Sequence, residues 1–143
     1  LTLQVDQLSF RASPYMTFSV NLGSHPSVGD SWPINHMLTI GDLSLHVNSA
    51  RLVSLENDAP GSNGKPMLGL VLDLEPVDPH QGKLDQVWIR VWGAQEVYDK
   101  VTCTWASAWL IDKVPTGVVD IHLDGVQGIL FGEWKIQWDQ QEP

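Results

Sequence analysis

From Met37 to Val47 apolar and polar residues alternate on both sides of Gly41-Asp42, in Met37-Leu38-Thr39-Ile40 and then Leu43-Ser44-Leu45-His46-Val47. Successive strand side chains point to opposite faces, and Gly in the first central position of a two-residue reversal accepts the positive φ that the reversal needs. The pattern predicts a tight β-hairpin closed at Gly41-Asp42. The same alternation recurs in Val87/Ile89/Val91, Val119/Ile121/Leu123 and Trp134/Ile136/Trp138. In the last of these, Trp134 and Ile136 are expected in the core, with Glu133, Lys135 and Gln137 outward.

Turn residues punctuate the alternating runs at short spacing, which predicts about nine strands in a sandwich or barrel. Leu3/Val5 and Leu8/Phe10 open the chain, and Phe18/Val20/Leu22 follow the Ser13-Pro14 break. A Gly-, Ser- and Pro-rich loop runs from Gly23 to Pro33, and a long strand from the hairpin reaches Leu52 and Leu55. Residues Asn57 to Pro66 form the most polar loop. Leu68, Leu70, Leu72 and Leu74 then share one strand face with Val71 opposite, until Pro76 and Pro79 end the run. Helix is expected for a turn or two at most, in Ala94 to Lys100 or Thr104 to Leu110, because Pro, Gly and β-branched residues interrupt longer windows. Nothing resembles a linker, so residues 1–143 read as one domain.

Composition narrows the partners. The 143 residues are 43% hydrophobic, ample for one core, and 8 Lys+Arg against 17 Asp+Glu give a net charge of −9. That charge opposes binding to nucleic-acid phosphates and direct binding to an anionic membrane. Cys103, the sole cysteine, has no internal disulfide partner and lies between Thr102 and Thr104 in a strand-like run, where a small buried hydrophobe is expected. No apolar run approaches the ~20 residues of a spanning helix. The chain begins at Leu1 rather than Met, which suggests a piece excised from a longer protein.

One stretch resembles a family. Ser31-Trp32-Pro33-Ile34-Asn35-His36-Met37-Leu38-Thr39-Ile40-Gly41-Asp42-Leu43-Ser44-Leu45, then Ala50-Arg51-Leu52, a Leu-rich strand, and Gly132-Glu133-Trp134-Lys135-Ile136-Gln137-Trp138 resemble the immunoglobulin-like domain in the extracytoplasmic part of bacterial anti-sigma-factor-like membrane proteins of unassigned function. The resemblance spans roughly residues 31 to 139, with the closing Gly-x-Trp-x-Ile-x-Trp phrase its most specific part. It implies an antiparallel immunoglobulin-like β-sandwich in the envelope of a bacterium, outside the cytoplasm. It carries no catalytic residues across to this chain.

Signatures that would force an enzymatic reading are absent: there is no Gly-x-Ser-x-Gly, His-Glu-x-x-His, phosphate-binding Gly-x-x-x-x-Gly-Lys or Gly-x-Gly-x-x-Gly sequence. His46 and His122 sit opposite the apolar parity of their strands and read as solvent-facing. Glu56, Asn57, Asp58 and Asn63, and separately Asp73, Glu75 and Asp78, offer the oxygen ligands calcium takes, but neither set has the spacing of an EF-hand loop. Solvated acidic loops are the simpler reading, and no metal or cofactor is expected.

The tryptophans remain. If Val87, Ile89 and Val91 face the core, Trp88, Arg90 and Trp92 face away from it, and an outward Arg avoids burying an unpaired charge. Exposed indoles beside a guanidinium can grip a protein partner or stack on sugar rings. The ladder is covered instead if the Pro76–Leu84 loop or a neighbouring domain lies over it. The residues therefore support a non-enzymatic recognition module or structural spacer. A carbohydrate-binding module of a secreted hydrolase, acting through the Trp/Arg face, is the alternative. The expected partner is another protein or domain, or a glycan, and is not a nucleic acid.

Overall fold

The computed structural model describes residues 1–55 and 63–139, which form an antiparallel β-sandwich of nine strands among the described residues. These are β1 (Thr2–Ala12), β2 (Met16–Asn21), β3 (Ser31–Ile40), β4 (Leu43–Leu55), β5 (Met67–Pro76), β6 (Gly82–Arg90), β7 (Gln95–Asp99), β8 (Thr104–Leu110) and β9 (Val118–Gln137). The windows with expected helical turns are instead the β7–β8 hairpin. Buried Val97 and Asp99 alternate there with exposed Tyr98, the period of a strand. A single 3₁₀ turn, Ile111–Lys113, follows it.

The first sheet is built around β9. Val126 pairs with both Ala12 of β1 and Val87 of β6, and His122 pairs with both Thr17 of β2 and Arg90 of β6. Each strand residue has two sides, so β1 and β2 lie end to end on one edge of β9 and β6 lies on the other. The second sheet has the order β3-β4-β5-β8-β7. Between the sheets, Leu43, Leu45, Leu52 and Leu70 meet Ile89, Ile121, Leu123 and Val126, all fully buried. Each such side chain contributes roughly 1.5 to 3 kcal/mol by leaving water.

At Gly41-Asp42 the chain reverses in two residues, with Ile40 paired to Leu43 and Gly41 at φ +58°. A second apolar cluster occupies the opposite face of the second sheet: Leu55, Met67, Val71, Val97, Ala106 and Ala108. Gly69 sits among them because a Cβ there would stand 2.9 Å from the Ala106 Cβ and 3.0 Å from a Leu55 methyl. Pro76 ends β5 as expected, and Asn57 to Ser62 of the polar loop fall outside the described residues.

Strand β9 keeps its alternation but changes phase twice. Trp88 pairs with Gly125 and Ile89 with Leu123, leaving Asp124 as an extra residue. That bulge switches the buried positions from Ile121 and Leu123 to Val126 and Gly128. A further extra residue enters between Phe131 and Trp134, where Gly132 and Glu133 stand opposite the single residue Asp6 of β1. Even-numbered residues beyond it therefore point away from the core side. The expectation that Trp134 and Ile136 are core residues is overturned: Trp134 is half-buried and Ile136 is 53% exposed. Moreover, β6 follows β9 only to the Gly82–Leu130 pair, so among the described residues no third strand joins the sheet there.

Candidate functional site

The parity expected for β6 is the parity observed. Val87, Ile89 and Val91 are buried, and Trp88, Arg90 and Trp92 lie on the outer face of the first sheet or at its end. These three do not form a continuous ladder. Trp88 is half-buried beneath Arg11, whose guanidinium carbon stands 4.8 Å from the ring centre. The covering group comes from β1; neither a loop nor another domain is needed. Arg90 is exposed and donates from Nε to Asp124 Oδ2 at 3.1 Å. Its guanidinium is held above its ordinary pKa, first by the hydrogen bond to Asp124 and then by that carboxylate's charge. The bulge residue of β9 is thus the counter-ion of Arg90.

Trp92 stands apart. It is 90% exposed at a reversal in which Ala94 N donates to Val91 O at 3.1 Å and Gly93 takes φ +83°. That is the form of a turn with Gly at its third position, and it carries the chain from the first sheet to the second. A rigid turn therefore presents the indole to solvent. Behind it on the sheet face lie polar cross-strand pairs, Thr17 Oγ1 with His122 Nδ1 at 3.0 Å and Ser19 Oγ donating to Asp120 at 2.5 Å.

A cleft of about 430 Å³ opens where β5 and β8 part beyond the Leu70–Ser107 pair. Arg51, Asp73, Asp85, Gln86, Thr102 and Cys103 contribute to its walls. Arg51 grips Asp73 with two hydrogen bonds, Nε to Oδ2 at 2.9 Å and Nη2 to Oδ1 at 3.1 Å. This pair raises the Arg51 pKa against the opposing effect of burial. Asp99, buried at the end of β7, accepts from Val101 N, Thr102 N and Thr102 Oγ1 and so shapes the cleft's rim.

Cys103 is exposed at φ +54° within this rim, not buried in a strand. The left-handed conformation turns its side chain off the sheet before β8 begins. The thiol meets the Lys100 carbonyl at 3.5 Å and the Tyr98 hydroxyl, whose pKa is raised by burial and then by Cys103. Neither contact is a base that activates a thiol for nucleophilic chemistry.

The other sequence candidates stay separate. His46 lies on β4 and His122 on β9, in different sheets. Asp73 is committed to Arg51, and Asp78 accepts from His80 N at 2.9 Å. Glu56, Asn57 and Asp58 lie outside the described residues. Among the described residues no three His, Cys, Asp or Glu side chains converge as metal ligands. No helix among them is long and apolar enough to cross a membrane. Sequence reasoning missed the Arg51–Asp73 pair and the Arg11 cover, since both join residues whose proximity is set by strand register.

Compared with family models, curated proteins and solved structures, the chain matches none of them.

Proposed function

We propose that this domain is a non-enzymatic recognition module whose contact surface is the Trp92 end of the first sheet, and whose partner is a protein. The observation that carries this is the 90% exposed Trp92 on a fixed turn. Tryptophan and arginine are the residues on which protein interfaces concentrate their energy. A turn already closed by a backbone hydrogen bond also leaves little backbone entropy to lose on docking.

The carbohydrate-binding alternative draws less support. A sugar platform of two indoles requires two free ring faces, and the guanidinium of Arg11 lies over Trp88. The envelope location outside the cytoplasm belongs to the same proposal and is supported by the family resemblance of residues 31 to 139.

Selection of a random peptide library on the domain, run beside a glycan array, tests the reading. Peptides that bind the native domain and lose at least about thirtyfold in affinity with Trp92→Ala are expected, as for an interface hot spot. Glycan binding abolished by Trp92→Ala, with no peptide selected, would transfer the surface to the carbohydrate reading.

A further inference from the structure

The first residues of β1 and the last of β9 form a two-stranded ribbon with fully segregated faces. Val5 pairs with Trp134 and Leu3 with Ile136, and the Leu1 and Trp138 backbones close the end by mutual hydrogen bonds at 3.2 Å. With period-two alternation, one face carries Leu1, Leu3, Val5, Trp134, Ile136 and Trp138. Thr2, Gln4, Lys135 and Gln137 occupy the other, all exposed. Leu1 is 69% exposed, Leu3 49%, Ile136 53% and Trp138 45%. The apolar face is thus the outer one, continuing from half-buried Ile129 and Phe131.

A ribbon of two strands is marginal in water until its apolar face is covered. We propose that a second copy of this chain covers it, ribbon face against ribbon face about a two-fold axis. A free aromatic side chain presents on the order of 150 to 250 Å² and an aliphatic one somewhat less, so the exposed fractions leave roughly 400 Å² of largely apolar surface per copy. A standard interface takes about 800 Å² from each partner, a little over half of it apolar. The apolar face of the ribbon is close to that apolar share.

A two-fold axis parallel to the strands would lay β9 of one copy over β1 of the other, setting Trp134 opposite Val5, Ile136 opposite Leu3 and Trp138 opposite Leu1. Closed two-fold pairing is also the commonest symmetry of soluble oligomers. An anionic lipid surface is disfavoured by the net charge of −9 and by Asp6, Glu133 and Asp139 beside the ribbon. The ribbon lies roughly 50 Å along β9 from the Trp92 end, so the inference is independent of the recognition surface proposed above.

Sedimentation velocity of the full chain from about 1 to 500 μM tests it. The expected result is a concentration-dependent monomer–dimer equilibrium that Ile136→Asp weakens by at least about thirtyfold. Leu3→Asp, on the other strand, should do the same, with the far-UV circular dichroism of both variants unchanged. A wild type that stays monomeric throughout overturns the proposal. So does a dimer that both substitutions leave intact. Co-flotation of a monomeric wild type with phosphatidylcholine vesicles, abolished by Ile136→Asp, would assign the face to lipid and overturn it equally.

Discussion

Arg11 and Trp88 meet across β9 although they belong to strands on its opposite edges. The strand between them has Gly125 opposite Trp88, and a Cβ at Gly125 would stand 3.3 Å from the indole Cε3. Absence of a side chain there lets the ring lie over the sheet and lets the guanidinium reach its face. A second aromatic contact point is thereby occupied from within, and of Trp88 and Trp92 the latter is left as the free indole.

Replacing Arg11 with Ala should uncover Trp88. The loss of an exposed cation–π contact costs about 0.5 to 1 kcal/mol, a small shift in denaturation midpoint. Acrylamide quenching in a Trp92→Phe background should rise clearly on removal of Arg11, since the indole then gains solvent on one face. Unchanged quenching would show that Arg11 does not cover the ring in solution.

Gly41→Val should destabilise by about 1 to 3 kcal/mol, because φ +58° is a region that β-branched residues resist. Nothing lies within 4 Å of a Cβ at this position, so the cost comes from the backbone alone. Gly41→Asn should therefore recover most of it. Urea denaturation of the two variants separates strain from crowding.

That hairpin was legible because its signal is local: two alternating runs and a glycine specify turn and register together. The burial of Val87, Ile89 and Val91 was legible for the same reason. The phase of β9 was not, since Asp124 and the extra residue before Trp134 are recognisable only against the strands they face. Alternation fixes which residues share a face; a bulge decides which face that is. Cys103 illustrates a second limit of local pattern, because one left-handed residue between two threonines ends what reads as continuous strand. The cleft is more remote still: Arg51 and Asp73 are neighbours through the β4–β5 register, which a separation of 22 residues along the chain does not announce.

Alkaline titration should single out Tyr98. Partial desolvation of a residue that stays 38% exposed, followed by the nearby Cys103 thiol, lifts its phenol above the ordinary value of 10.0. A group that holds its proton more tightly when folded contributes stability that is complete below pH 10 and is lost as pH rises through the folded value. In a Tyr15→Phe background, absorbance at the phenolate band should report ionisation above pH 10, and Cys103→Ser should bring the midpoint part of the way down. A phenolate forming below pH 10 would contradict the packing of Tyr98 against Cys103.

Trp134 and Ile89 both lie in alternating strands, yet their truncation should differ sharply. Ile89 is fully buried between the sheets, and Ile89→Ala should cost about 2 to 5 kcal/mol through lost transfer energy and the cavity left behind. Trp134 packs its indole over Gly132, where an added Cβ would come within 2.9 Å of the ring, but remains partly in water on a ribbon that β6 does not reach. Trp134→Ala should cost only about 1 to 2 kcal/mol when measured at low protein concentration. At high concentration the difference should grow, because a dimer formed on the ribbon adds to the stability of the folded chain by mass action. Thermal melts of both variants and the wild type at two concentrations a hundredfold apart provide the check. A Trp134→Ala penalty as large as that of Ile89→Ala at the lower concentration would return Trp134 to the core and the ribbon with it.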